Sequence, residues 1–414
     1  MSASVHWPKE FCRICESKDI ETILDFGEMC LSGVFLEKGE SVEKAPLELG
    51  RCRSCGLVQL LHSYSSSALY GQTYGYESHL NNSMKEHLTR KARILEQRFL
   101  KLKGHPLVVD IASNDGTLLS GYSSKVRTVG IDPLITNFVD YYPKDATKIN
   151  DFFSSHSYFE FESSQADLVT SLSVLYDLES PIKFAKDVCS ILAPGGIWHF
   201  EQSYLPLMVD TLSYDTICHE HLTYLRLHDI KRIVESAGLQ ILDASLNAVN
   251  GGSIAVTAIK TESQITASPY VEHLLSVEVN DGFASNQAMK GFAKRAVNHK
   301  ADLLKLISEY SLAGYEIVGL GASTKGNVLL QWLGITTEIL SFIGDINPKK
   351  LGKECPGSGV PIITEEDVIL AATSKTIALV LPWHFREGII RNCEDLLKKD
   401  ARLLFPLPRI EIVN

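Results

Sequence analysis

"HPLVVDIASNDGTLL", residues 105–119, decides how the rest of the chain is read. Leu107 to Ile111 form a run that is apolar except for Asp110, which suits a strand covered on both faces. A turn of small polar residues follows, Ser113-Asn114-Asp115-Gly116, and then the start of a helix. Strand, tight turn and helix start is how α/β folds aim backbone N–H groups at an anionic or polar ligand. About 20 residues on, "VRTVGIDP" (126–133) ends a second strand with Asp132, a position at which one carboxylate accepts both ribose hydroxyls. "NDFF" (150–153) comes next, then "ADLVTSLSVLYDL" (166–178) as a fourth strand and "LAPGGIWHFEQSY" (192–204) as a fifth.

This order of elements resembles the doubly wound sheet of class I S-adenosylmethionine methyltransferases. The phosphate-binding GxGxxG is absent, which fits a cofactor without a pyrophosphate. On that reading Asp110, Asn114, Asp115 and Gly116 meet the methionine end and Asp132 holds the ribose. Asp151 and Phe152 flank the adenine, and Ser171 and Leu172 lie under the sulfonium. The competing reading is a Rossmann-like domain that takes another nucleoside or nothing.

Working outward, 414 residues correspond to two or three domains, each with its own core. A net charge of −10 argues against a nucleic-acid partner, since affinity for phosphate backbones comes from Lys and Arg. No apolar run reaches the roughly 18 residues that span a bilayer, and "MSASVHWPKEF" has no apolar signal core. These features predict a cytoplasmic protein with no membrane partner, a monomer or weak dimer. Nine cysteines in so long a chain do not form a disulfide framework in that reducing compartment.

Four of the nine are ordered. "CRIC" (12–15) and "CRSC" (52–55) are two CxxC knuckles, and each turn presents two thiolates to one ion. Cys12, Cys15, Cys52 and Cys55 complete a tetrahedral zinc site with no place left for water, which makes the ion structural. Redox pairs are the alternative. After this module, "YGQTYGYESHLNNSMKEHLTRKARILEQRFLKL" passes from turn-rich Tyr and Gly to a helix carrying Met84, Leu88, Ile94, Phe99 and Leu102. Tyr70, Tyr74 and Tyr76 sit in that loop-like entry as core, hinge or site aromatics.

Beyond the fifth strand, "RLHDIKRIVESAGLQILDASLNAVNGGSIAVTAIK" reads as a helix ended by Gly238 and two strands joined through "NGG". "TICHEHLTYL" (216–225) therefore falls at the carboxyl edge of the sheet, where ligands gather. His219, Glu220 and His221 are three adjacent proton carriers, suited to acid/base chemistry, a metal or a solvated loop. Their spacing is not HExxH, and no further metal ligands stand nearby.

From about 264 to 310 the chain is mostly helical, and "GYEIVGLGASTKGNVLLQWLGI" then opens a third α/β unit. A strand ending at Leu320 feeds the loop 321–324 into a helix that begins with Lys325, Gly326 and Asn327. "SFIGDINP" places Asp345 where a ribose contact falls, but the glycines are spaced GxGxxxxG. "LPWHFRE" follows a later strand, a position from which Trp383 and His384 reach the cleft at the start of that helix, with a core position for Trp383 as the equal alternative.

Together these stretches resemble the nucleotide-sugar C-methyltransferase family that adds a methyl group to C3 of 4-keto-6-deoxy hexoses. The likeness spans nearly the whole chain: both CxxC knuckles, "YGY", "VVDIASNDG", "YDTICHEHLTY", "NGGS", "KGN", "INPKKLGKECPG" and "LPWHFRE". It implies three domains: 1–75 binding zinc, 76–265 binding S-adenosylmethionine, and a Rossmann-like 266–414 that holds the nucleotide diphosphate. It implies that His221 is the base, that Glu220 and Tyr76 position the sugar or stabilise the enolate, and that His219 orients its neighbours or packs. Ser323, Lys325, Asn327 and His384 become phosphate or sugar contacts, with Tyr74 and Tyr214 beside them. The implied substrate is a dTDP- or GDP-linked 4-keto-6-deoxy sugar destined for a surface polysaccharide or natural product. Cys218 stands where antibiotic-sugar members carry Tyr, with Tyr76, Tyr214 and Tyr224 as candidate replacements for the phenol. A nicotinamide-dependent sugar oxidoreductase and a non-catalytic zinc-ribbon scaffold are the readings this one displaces.

Overall fold

The computed structural model describes residues 5–65, 69, 76–263 and 265–414. Tyr70 and Tyr74, singled out above, lie outside the described residues. Along the chain come β1 (His6–Pro8), β2 (Ile20–Cys30), β3 (Lys44–Cys52), β4 (Val58–Leu60) and β5 (His62–Tyr64). The parallel series follows: β6 (Leu107–Ile111), β7 (Arg127–Ile131), β8 (Thr147–Ile149), β9 (Ala166–Leu172) and β10 (Leu192–Ser203). Then come β11 (Thr223–Tyr224), β12 (Leu239–Asn247) and β13 (Ser253–Lys260). The last unit holds β14 (Glu316–Leu320), β15 (Ile343–Asp345), β16 (Ile362–Thr364), β17 (Thr376–Val380), β18 (Arg402–Phe405) and β19 (Glu411–Val413).

The middle sheet has the order β12-β13-β10-β9-β6-β7-β8. β6 to β10 are parallel, and β13 returns antiparallel to β10. All five residues of β6 are buried, as expected for a strand with both faces covered. Strand order reverses between β6 and β9, so the ligand crevice opens at their carboxyl ends. The last unit repeats the scheme with the order β16-β15-β14-β17-β18-β19. Its reversal between β14 and β17 brings the loops after Leu320 and Val380 to one crevice.

The N-terminal sheet runs β11-β4-β3-β2 and is antiparallel. β3 alternates by two, burying Ala45, Leu47 and Leu49. Its edge strand β11 belongs to the histidine motif: Thr223 pairs with Gln59 and Tyr224 with Val58. The module is a wedge rather than an appendage. Leu24, Phe26 and Leu47 share a core with Trp332, Leu320 and Leu379 of the last unit. Cys12, Ile14 and Leu57 pack instead into the middle core with Leu225 and Ile230.

Three expectations change. The helix expected directly after β6 does not form; a turn leads only to a 3-10 segment, Leu119–Gly121. Ala112, Asn114 and Gly116 all adopt positive φ (53°, 50° and 74°), which a right-handed helix excludes. The covering role falls to the helix Asn82–Leu95, whose Ala92 Cβ would lie 2.7 Å from any Cβ on Gly121. On that helix the buried stripe is Met84, Leu88, Ala92 and Leu95; Ile94 and Leu102 are 52% and 97% exposed. Finally, the division at 266 cuts a core: Val271, Leu274 and Leu275 of the helix Pro269–Asn280 pack with the middle sheet, and Met289 and Phe292 begin the last unit's core. Among the described residues no helix is long and apolar enough to cross a membrane.

Candidate active site

The four knuckle thiols meet as the spacing requires, with all Sγ atoms within 4.8 Å of one another. Cys12 lies 3.5 Å from Cys55, and Cys15 lies 3.5 Å from Cys52. Four closed thiol ligands suit a structural zinc ion. The knuckles are tied down around it. Buried Arg13 donates to the carbonyls of Leu60 (2.7 Å) and His62 (2.9 Å), and to Glu179 of the middle domain (3.2 Å). Arg226 donates to the Cys55 carbonyl at 3.0 Å while its fork holds Asp229.

The turn after β6 is the second site. Asp132, at the end of β7, accepts from the Asn114 N–H (3.0 Å) and the Leu134 N–H (2.8 Å), and retains lone pairs for two hydroxyls. Asp115 is fully buried and accepts from Thr117 N–H and Oγ1 (3.1 and 2.6 Å) and from His79 N–H (2.8 Å). Asn114 receives Ser78 N–H at 3.1 Å and donates Nδ2 to the Tyr76 carbonyl at 3.0 Å. Tyr142, which sequence reasoning missed, supports the turn from below. Its hydroxyl donates to the Asn114 carbonyl (2.7 Å), and a Cβ on Gly116 would sit 2.8 Å from its ring. Asp110 accepts from Thr170 Oγ1 at 2.6 Å, and burial pushes its carboxyl up to about 7. Phe152 stands half-exposed beyond β8, its N–H on Asp151. Leu172 borders the cluster of Met84 and Leu88. Ser171 is committed to the core instead, its Oγ accepting from Trp198 Nε1 at 3.0 Å. The small-residue turn, the glycine and Asp132 fit a nucleoside-bearing cofactor.

The third site gathers the remaining motifs. His221 Nδ1 lies 2.8 Å from the Thr216 carbonyl, which can only accept, so Nδ1 carries the proton and Nε2 keeps its lone pair. The Tyr176 ring, unremarked in the sequence, packs on this imidazole at 4.4 Å between centroids. Burial pulls the imidazole down to about 4; the nearby Lys325 charge pushes the same way, against the Thr216 hydrogen bond. Glu220 is buried where three modules meet, close to Cys218 and Ser32. Gly33 leaves the room its carboxylate fills, and Thr324 Oγ1 borders the same spot. Desolvation raises the Glu220 carboxyl.

Lys325, in the first turn of the helix Thr324–Leu333, donates to the Asn250 carbonyl at 2.7 Å. Trp383 Nε1 donates to buried Asp215 at 2.7 Å, and Gly251 has no Cβ because Trp383 lies 3.0 Å from where it would be. Thus "YDT", "NGG", "KGN" and "LPW" contact one another where the middle domain meets the last unit, and the Lys325 charge there is near enough to act on His221. Ser323 caps the helix by accepting from Gly326 N–H at 3.0 Å, and His384 packs on Phe385 at 4.2 Å.

Three expected site residues are not in that cleft. His219 is fully buried in the zinc module's sheet, 3.3 Å from the Ala45 carbonyl and edge-on to Tyr64. Tyr214 is fully buried, its hydroxyl on His299 at 2.9 Å and its ring against Trp332. Asn327 is fully buried and donates to the Ser32 carbonyl at 2.7 Å, joining the last unit to the zinc module. Each filled a packing position that spacing alone could not separate from a site.

A zinc binding domain model matches residues 12–70, a methyltransferase domain model residues 84–244, and a C-methyltransferase C-terminal domain model residues 248–408. The C-methyltransferase NovU of Streptomyces niveus is 28% identical over 98% of this chain and 97% of its own length. Two solved methyltransferases overlap part of the chain. The N-methyltransferase NodS of Bradyrhizobium japonicum is 14% identical, covering 44% of this chain and 89% of its own, with a TM-score of 0.33. An S-adenosylmethionine-dependent methyltransferase of Clostridium acetobutylicum is 15% identical, covering 44% and 92%, with a TM-score of 0.32. Matched in turn by these three models, the chain is an S-adenosylmethionine-dependent C-methyltransferase with an N-terminal zinc-binding domain.

Proposed function

We propose that the enzyme methylates C3 of a nucleotide-diphospho-4-keto-6-deoxy hexose, with His221 as the base. The observation that carries this reading is the hydrogen bond that commits the Nδ1 proton of His221 to the Thr216 carbonyl and leaves the Nε2 lone pair to act as base, near Lys325 at the start of the helix Thr324–Leu333. A ketone at C4 acidifies the C3–H bond. His221 takes that proton at Nε2, and charge moves onto the C4 oxygen as the enolate forms. Lys325 and the N–H groups at the helix start favour negative charge, whether of the diphosphate or of the enolate. Glu220, held against Gly33 of the zinc module, orients the sugar, and Tyr76 acts from the segment that bonds Asn114. Bound S-adenosylmethionine, held by Asp132, Asn114 and Asp115, supplies the electrophilic methyl group. The C3 carbanion carbon forms the new C–C bond, and S-adenosylhomocysteine leaves.

An imidazole held near 4 is unprotonated at neutral pH and so competent to accept. A diphosphate on Lys325 would neutralise one of the charges that depress it and strengthen the base as substrate binds. The same reading places the enzyme in the cytoplasm, as a monomer or weak dimer acting on a small molecule. The test is product mass and NMR after incubation with methyl donor and a panel of dTDP- and GDP-4-keto-6-deoxy hexoses. A methyl group at C3 of one of them supports the reading. Methylation only at another carbon, or of none, overturns it.

A further inference from the structure

The segment just before the helix Asn82–Leu95 touches two domains at once. On one side it grips the donor turn: Ser78 N–H and Oγ on Asn114 (3.1 and 3.2 Å), and His79 N–H and Nδ1 on Asp115 (2.8 and 2.9 Å). On the other side Glu77, between Tyr76 and Ser78, takes Lys349 of the last unit at 2.6 Å. The pair is asymmetric, since the Glu77 side chain is 5% exposed and that of Lys349 66%. A carboxylate so enclosed depends on its cation, because leaving it unpaired is costly. The Lys349 ammonium also lies 5.6 Å from the Phe138 ring of the middle domain.

Lys349 is wired in turn to the start of the helix Thr324–Leu333. Its N–H bonds Asn347 Oδ1 (2.9 Å), whose N–H bonds Asp345 Oδ1 (2.7 Å). Its neighbour Lys350 donates to the Ala322 carbonyl at 2.7 Å and pairs with Asp345 at 3.6 Å. Ala322 immediately precedes Ser323, the cap of that helix. A chain of direct bonds therefore runs from the crevice of the last unit to the turn that holds the methyl donor.

We propose that Glu77 and Lys349 are positioning residues that couple methyl-donor binding in the middle domain to ligand occupancy of the C-terminal domain. The donor-side half stands on the geometry above; the identity of the second ligand rests on the nucleotide-sugar reading. Because binding free energies are linked, each ligand must tighten the other by the same factor, about fivefold or more.

The test uses the full zinc-loaded chain and titrates S-adenosylhomocysteine calorimetrically, alone and with thymidine or guanosine diphosphate. Without nucleotide, Lys349→Met and Glu77→Gln should each weaken S-adenosylhomocysteine severalfold and speed amide exchange at residues 76–80. Lys353→Met serves as control, since Lys353 pairs with Glu37 of the zinc module at 3.5 Å and not with the donor segment. With nucleotide, the tightening seen in the natural protein should fall toward onefold in either variant. It should return in part in the charge-swapped pair Glu77→Lys with Lys349→Glu. Donor affinity and exchange at 76–80 unchanged in Lys349→Met, or lost equally in Lys353→Met, overturns the proposal. Full coupling retained in both variants does the same. Failure of either nucleotide to bind counts against the substrate reading, while the nucleotide-free arm still decides the fate of the latch.

Discussion

The donor turn and the histidine cleft are built in opposite ways. Most of what shapes the turn comes from its own domain: Asp132 from the next strand, Tyr142 beneath it, and Asp115 folding back on Thr117. The cleft is composite. His221 is oriented by Thr216, but Ser32 and Gly33 of the zinc module border Glu220, and Lys325 and Trp383 arrive from the last unit. A self-contained site leaves a compact motif. A composite one leaves short motifs scattered along the chain, with no local reason for any of them, and its chemistry depends on three modules staying docked.

Zinc removal attacks that docking and has the largest expected effect. Elemental analysis should find about one zinc per chain, and Cys12→Ser with Cys55→Ser should abolish it together with folding of the N-terminal module. Structural zinc sites contribute on the order of 10 kcal/mol to folding, and both neighbouring cores lean on this module. During stepwise chelation, methyl transfer should disappear before S-adenosylhomocysteine binding does. Simultaneous loss would mean that the donor turn depends on the module as fully as the cleft does. A metal-free protein that stays folded and active would remove the zinc assignment.

Within the cleft, His221→Asn should keep both ligands bound and cut methyl transfer ~10²-fold or more, the usual worth of a positioned base. C3 deuterium exchange without methyl donor isolates the proton-transfer step, and wild-type exchange in that variant would acquit His221. Glu220→Gln should cost less if Glu220 orients the sugar, as proposed, and does not move the proton. His219→Asn should change melting temperature and not the exchange rate, since its ring packs against Tyr64 inside the zinc module.

What the sequence made legible follows the same division. The strand Leu107–Ile111 and the meeting of the four cysteines were readable because period and spacing are local quantities. Left-handed Ala112 and Asn114 were not, because neither residue type demands positive φ; the fold imposes it and displaces the expected helix. Tyr214 and Asn327 pack instead at domain junctions, and of the two roles open to His219 the structure shows packing; a polar residue that secures a junction has the same spacing as one that meets a ligand. Tyr176 and Tyr142 carried no signal at all. Their importance comes from what folds against them.

The donor turn offers the next test. Asp132→Ala removes a carboxylate positioned for two ribose hydroxyls, and hydrogen bonds to charged groups are worth roughly 1.5 to 3 kcal/mol. Calorimetry should show S-adenosylhomocysteine weakened about tenfold to a hundredfold, with nucleotide affinity nearly unchanged in the donor's absence. Unchanged donor affinity would move the cofactor site elsewhere. An equal loss at both ligands would show that the turn is less self-contained than its bonding suggests.

The smallest effect is the most specific to a composite site. His221 is held near 4 first by burial and then by the positive charge of Lys325, a residue of another domain. Protonated His221 cannot accept the C3 proton, so wild-type kcat should rise with pH through a value well below the 6.5 of free imidazole and be flat above it. Lys325→Met removes one of the two charges that would repel in the imidazolium form. Imidazolium then forms more readily, and the acid limb of kcat should move to higher pH by about one pH unit or less, since burial persists. Above pH 7 both proteins sit on their plateaus, so any difference there reports lost substrate contact rather than an altered base. Following kcat confines the reading to the substrate complex. A limb that stays in place, or moves to lower pH, would show that the Lys325 charge does not reach His221. The base would then be as much the property of one domain as the donor turn is, and the C-terminal unit would act on the substrate alone.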